Sequence, residues 1–148
     1  MTQSQQSTHP TASVGDLSSV YPEVLNFYAV QMRALDSRNI EGYVSTFTED
    51  GVMDHPDGAS DRGHDEIVAR LRERAPAFAG QAVCHWFDKL IIETVSDDSI
   101  SSSYYAIVTR TTADGTTALS APFLVRDVLS RSNGVLLTQR RTIAPIRP

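Results

Sequence analysis

Beyond residue 81 the chain reads as four long segments dense in β-branched and aromatic residues, 82–95, 99–112, 116–131 and 134–146. That pattern predicts strands, and its breaks predict how they connect. Ala113-Asp114-Gly115 and Ser132-Asn133-Gly134 are hairpin signals of the Asp-Gly and Asn-Gly kind, whose central residues tolerate positive φ. Ser96-Asp97-Asp98 marks a third turn. The expected product is a four-strand antiparallel meander. Strands of about 12–15 residues exceed the usual five or six and must curl, leaving a concave face for other elements to cover.

The first half supplies those elements. Val24, Leu25, Phe27, Tyr28, Met32 and Leu35 recur at three- and four-residue spacing, so a helix is expected from Pro22 to about Ser37. Ile40, Tyr43, Val44 and Phe47 predict a second, shorter helix, closed by Glu49-Asp50-Gly51. Val52-Met53-Asp54-His55 reads as a short strand stopped by Pro56. Ile67, Val68 and Leu71 form the stripe of a third helix running from about His64 to Pro76. Residues 1–18, rich in Ser, Thr and Gln, are expected to be a disordered tail, and residues 19–148 a single α+β domain. Three helices across a strongly curved antiparallel sheet make a cone with an internal cavity.

Composition narrows the partners. The formal charge is −5 and no basic run exceeds Arg140-Arg141, which argues against a nucleic-acid surface. No apolar stretch approaches the ~20 residues needed to span a bilayer, so a cytoplasmic protein with no membrane partner is expected. Cys84 stands alone, which excludes disulfides and cysteine zinc sites. His55, His64, Asp54, Asp57, Asp61 and Asp65 crowd one region, but without metal-ligand spacing on a regular element, so no metal is expected. Phosphate loops and nucleophile elbows are missing, and nothing in the chain asks for a cofactor.

The order of elements carries a resemblance. Phe47-Thr48-Glu49-Asp50-Gly51-Val52 leads into Asp54-His55-Pro56, then Arg62-Gly63-His64-Asp65-Glu66-Ile67; late in the chain come Arg126-Asp127-Val128-Leu129 and Gln139-Arg140-Arg141-Thr142-Ile143. Over residues 21–146 this resembles the nuclear transport factor 2-like superfamily. Within it the chain is most similar to the SnoaL-like branch of small cyclases, dehydratases, isomerases and hydroxylases of bacterial aromatic polyketide pathways. The resemblance implies a cone fold, a hydrophobic small-molecule ligand and a homodimer. In the ketosteroid isomerase relatives an Asp before the proline of the first strand is the general base, and His55 stands there in this chain.

His55 is therefore the first candidate proton carrier, at an unperturbed pKa near neutrality. Strand alternation puts Met53 and His55 on one face and Asp54 on the other, so one of the Asp54–His55 pair enters the cavity. His85 follows among the aromatic residues Trp86 and Phe87, where relatives place a cavity histidine. Tyr43 is a candidate phenolic donor, with Tyr28 behind it. Asp127 could act with a histidine, or pair with Arg126, Arg140 or Arg141 across the sheet. Phe27, Tyr28, Phe47, Met53, Trp86, Phe87, Phe123 and Arg141 are expected to hold the ligand. The expected activity is cofactor-independent acid–base tailoring of an aromatic polyketide-like intermediate: cyclisation, including pyran-ring formation, dehydration or isomerisation. The alternative is a non-catalytic binding or accessory protein of the same fold.

Overall fold

The computed structural model describes residues 14–148. Helix α1 (Val14–Asp36) starts well before the expected Pro22. Leu17 and Val20 pack on the core, and that apolar contact carries helix into the segment whose composition reads as tail. Residues 1–13 lie outside the described residues. Arg38, at φ 61°, turns the chain out of α1, while the Asn39 and Ser37 amides cap its last carbonyls.

Asn39 Oδ1 accepts from the Gly42 amide and starts α2 (Ile40–Val44). This helix ends before Phe47, contrary to the periodicity, because the Thr46 carbonyl is taken by the Thr138 amide and Phe47 opens strand β1 (Phe47–Asp54). A turn at Pro56-Asp57-Gly58 leads to β2 (Ser60–Arg62), α3 (Gly63–Arg74) and a 3₁₀ turn, Ala75–Phe78. The N-terminus of α3 is closed by the Glu66 carboxylate, which accepts from the Arg62 amide. His64 instead bonds the Phe47 carbonyl.

The sheet then runs through β3 (Ala82–Val95), β4 (Ser99–Thr111), β5 (Thr117–Leu119), β6 (Phe123–Ser132) and β7 (Val135–Pro145). Its order is β2-β1-β7-β6-β4-β3, with β5 on β4. Two features depart from a four-strand meander. β1 pairs parallel with β7, so the sheet is mixed. The third segment divides at Ser120-Ala121-Pro122, where proline has no amide to donate and the Ser120 side chain takes the Val108 N–H instead. The hairpin turns stand where expected: Asn133 and Gly134 have φ of 50° and 76°. Asp114 accepts from Thr112 and Thr116, bonds that hold its carboxyl down to about 2.

A bulge in β3 shifts which side chains face inward. Lys89 adopts φ 57°, the register slips between Asp88 and Ile91, and Leu90 and Ile92 are buried while Ile91 is exposed. Strict alternation would have left Leu90 outside with Trp86. Two apolar clusters result, one of α1 against β3, β4, β6 and β7, the other of α2, β1 and α3.

Between these clusters lies a buried polar knot. Asp127 and Arg141 are register partners on β6 and β7, both almost wholly buried, and the carboxylate accepts from Arg141 Nε at 3.0 Å and Nη2 at 2.7 Å. Arg141 Nη2 also donates to Gln31 Oε1 at 2.5 Å, and Nη1 donates to Tyr43 Oη at 3.0 Å. Gln31 Nε2 donates onward to Thr46 and Thr138. Burial works against the Arg141 charge, and Asp127 more than restores it, holding the guanidinium well above its ordinary range. Removing one partner leaves a buried charge uncompensated. Asp127→Ala is expected to cost about 3–5 kcal/mol in chemical denaturation, with Asp127→Leu/Arg141→Met recovering most of it.

Candidate functional site

A cavity of about 290 Å³ opens between the concave sheet face and the helices, at the lower end of the range for ligand pockets, roughly 300–1,000 Å³. One face of β4 forms a wall, through Tyr104, Ala106, Val108 and Arg110. Met32 and Leu35 come from α1, Phe123 and Val125 from β6, and Ile143 from β7. This lining is predominantly apolar. Its polar members are His55, His85, Tyr43, Tyr104, Ser120 and three arginines, Arg74, Arg110 and Arg141. A wider depression of about 600 Å³, lined by Asp50, Arg62, Gln139 and Arg140 among others, lies open on the outer surface and holds neither histidine nor an aromatic wall.

Each cavity histidine is held by a carboxylate. His55 follows β1 directly, and its Nε2 meets Asp61 Oδ2 at 2.5 Å. Asp61 comes from β2, which pairs with β1 opposite Met53, and Arg70 of α3 donates to it at 3.1 Å. Burial acts to raise the Asp61 carboxyl, but the bonds and charges of Arg70 and His55 outweigh it and hold the group below the usual range. His85 sits on β3, and its Nδ1 lies 2.7 Å from Asp36 Oδ1, which also accepts the His85 amide at 2.9 Å. A neutral imidazole that donates one N–H to a carboxylate has its tautomer fixed. The nitrogens left off the carboxylates are then Nδ1 of His55 and Nε2 of His85.

The remaining polar groups are donors. Tyr43 Oη accepts from Arg141, so its own proton is left to give. Burial pushes its phenol above the ordinary value, and those of Tyr104 and Tyr28 well above it, so all three are neutral hydroxyls at physiological pH. Tyr104 Oη is buried and has no hydrogen-bond partner among the described residues, and the Arg141 charge nearby partly opposes the effect of burial on its phenol.

Of the residues singled out in the sequence, His55, His85, Tyr43, Trp86, Phe123 and Arg141 border the cavity. Trp86 does so with more than half its surface exposed and its Nε1 donating to Thr109. The others stand elsewhere. Asp54 points to the other face of β1, bonded to Ser60, Arg140 and Thr142, as alternation requires. Asp127 is spent on Arg141 and meets no histidine. Tyr28 bonds Ser102 in the core, and Phe87 packs edge-on against Tyr28 and Tyr104. Phe47 and Met53 belong to the second apolar cluster. Phe27 packs from the far side of α1, beside a shallow groove with Asn26 and Val30. The aromatic residues and Met53 among these are drawn off by packing against neighbours that sequence spacing does not reveal.

Sequence reasoning misses Asp36, Gln31, Tyr104 and Arg74, and reaches Asp61 only as a weighed metal ligand. Two of them leave a signal. Asp36 ends α1, where a negative charge opposes the helix dipole and so asks for a partner. Gln31 is a polar residue on the helix's apolar stripe. Among the described residues no group of histidines, cysteines and carboxylates is arranged to hold a metal, and no helix is long and apolar enough to cross a membrane.

Comparison with known proteins agrees with this architecture. A SnoaL-like domain model matches residues 18–142. The structure of Aln2 from a Streptomyces species is 34% identical, superposes with a TM-score of 0.83, and covers 92% of this chain and 94% of its own. ActVI-ORFA from Streptomyces coelicolor is 36% identical with a TM-score of 0.80, covering 86% and 98%. A protein from Catenulispora acidiphila, solved in complex with S-DNPA, is 35% identical with a TM-score of 0.78, covering 86% and 94%. No curated protein matches the chain.

Because the folded Asp61 carboxyl lies below its unfolded value of 3.8, its contribution to stability is complete above about pH 4 and is lost as pH falls through the lower folded value. The stability advantage of the wild type over Asp61→Asn is expected to shrink as pH falls below 4 in urea titrations.

Proposed function

From the premise that this chain belongs to the SnoaL-like family, we propose that it is a cofactor-independent acid–base enzyme that tailors an aromatic polyketide-like ketone. One observation carries the reading: two histidines, each oriented by its own carboxylate, border the same apolar cavity. A binding protein needs the apolar walls alone. Two proton carriers with fixed tautomers are what proton transfer needs.

Neutral, each imidazole offers a lone pair on its cavity-side nitrogen; protonated, it offers an N–H there. In pyran-ring formation one histidine takes the proton of a substrate hydroxyl as its oxygen bonds to a ketone carbon, and the other protonates the ketone oxygen. The product is a cyclic hemiketal. Loss of that hydroxyl as water reverses the roles: the histidine that took the hydroxyl proton now protonates the leaving hydroxyl, and the one that gave its proton takes a proton from the neighbouring C–H. Isomerisation uses the same pair, with a C–H proton removed and the enolate oxygen protonated. The Tyr43 hydroxyl adds a neutral donor for a substrate oxygen, and the apolar walls keep water from competing. Asp61 and Asp36 are positioning residues, since each acts through its histidine.

Turnover needs one histidine protonated and one neutral, so the rate is expected to follow a bell-shaped pH profile. The test is solvent deuterium exchange into the methyl group of 2-acetyl-1-naphthol, a fused-ring aryl ketone. The wild type is expected to accelerate exchange, and His55→Asn and His85→Asn to lose about 10²–10⁴-fold of the acceleration with thermal stability retained. Tight binding with no acceleration at any pH would identify a carrier or accessory protein instead.

A further inference from the structure

A second cavity of about 180 Å³ lies against the first, and the two share four wall residues: Leu35, Arg74, Phe78 and His85. Its remaining lining is mostly apolar, from Ile40, Leu71, Ala75 and Val83, and its two charged members are already engaged, Asp36 with His85 and Arg38 with the Phe78 and Gln81 carbonyls. The smaller space sits where the ends of α1 and α3 meet the start of β3, behind the 3₁₀ turn that carries Phe78. That turn is held in place: Arg38 Nη2 donates to the Phe78 carbonyl at 2.7 Å and to the Gln81 carbonyl at 3.0 Å, and the Arg110 guanidinium stacks on the Phe78 ring, 4.4 Å from its centre. The side chain between the two spaces is thus fixed from both sides, by Arg110 of the larger cavity's wall and, through its turn, by Arg38 of the smaller one's, and the smaller space is a built feature of the fold.

We infer that this smaller cavity is a second subsite for the same ligand, and that it takes an aliphatic chain carried by the aromatic body bound in the larger one. The shape and chemistry select that occupant. A space of about 180 Å³ lies below the range for a ligand pocket of its own, roughly 300–1,000 Å³, and a mostly apolar wall whose Asp36 and Arg38 are already bonded favours an alkyl chain over a polar one. The shared wall gives the subsite its consequence for chemistry. His85 stands at the junction, so a chain threading from one space to the other brings its first atoms beside the imidazole. A carbonyl at the head of the chain is then the group His85 serves. This assignment of the reacting position rests on the acid–base reading above; the subsite itself does not.

The test reads binding alone, so that it stands whether or not the protein turns a substrate over. Affinities of 2-methyl-, 2-propyl- and 2-pentyl-1,4-naphthoquinone are measured by calorimetry on the wild type and on two variants that fill the smaller space, Val83→Phe and Ala75→Leu. The wild type is expected to bind about three- to fourfold more tightly for each added methylene. Both variants are expected to bind the methyl compound as the wild type does and to lose the dependence on chain length. Two variants on different elements guard against one failing to fold, which thermal melting reports. A chain-length series that is flat in the wild type, or equally steep in the folded variants, would overturn the subsite. Loss of deuterium exchange in His85→Asn with an intact chain-length series would leave the subsite standing beside the acid–base reading; an intact series with no exchange in the wild type would leave it standing without that reading.

Discussion

The ion pair between Asp127 and Arg141 organises the interior of this protein. Two charges withdrawn from water are tolerable only when their hydrogen-bonding capacity is met, and here each added partner comes from a different element: Gln31 from α1, Tyr43 from α2, Asp127 from the neighbouring strand. The knot therefore sets where both helices cross the sheet. It also puts a guanidinium in the cavity wall, with Phe47, Tyr28 and Tyr104 rings within about 6 Å of it. The cost of burying the pair is offset by a single geometry in which helices, sheet and cavity agree.

That geometry explains why the histidines have separate carboxylates. His55 belongs to the half of the molecule built from β1, β2 and α3, and takes Asp61 and, through it, Arg70. His85 belongs to β3, and takes Asp36 from the end of α1 where the helix crosses that strand. The cavity is the seam between the two halves. Each half delivers one histidine to it, already oriented, and the apolar side chains of β4 and β6 form the wall between. Solved proteins more than 30% identical to this one share its fold over most of their length.

Much of this was legible in the chain. The long β-branched segments and the Asn133-Gly134 turn fixed the hairpins, because local turn chemistry decides them. Met53 and His55 facing one way, and Asp54 the other, followed from a two-residue period that the structure keeps. Three things were not legible. The parallel pairing of β1 with β7 joins residues some ninety positions apart, and no local pattern encodes it. The bulge at Lys89 reverses the facing of Leu90, and no glycine marks it in the sequence. Asp36 and Asp61 became meaningful only when the fold brought them to imidazoles 49 and 6 residues away. Asp36, an acid at the wrong end of a helix, was the one such clue in the sequence.

Two carboxylates fix two opposite tautomers across one cavity, and the proposed chemistry stands or falls with that arrangement. Imidazole ¹⁵N chemical shifts, assigned through His55→Asn and His85→Asn and recorded at a pH where both rings are neutral, read it directly. The expected result is His55 protonated at Nε2 and bare at Nδ1, and His85 protonated at Nδ1 and bare at Nε2. Averaged shifts at both nitrogens of either ring, or the same tautomer in both, would contradict it.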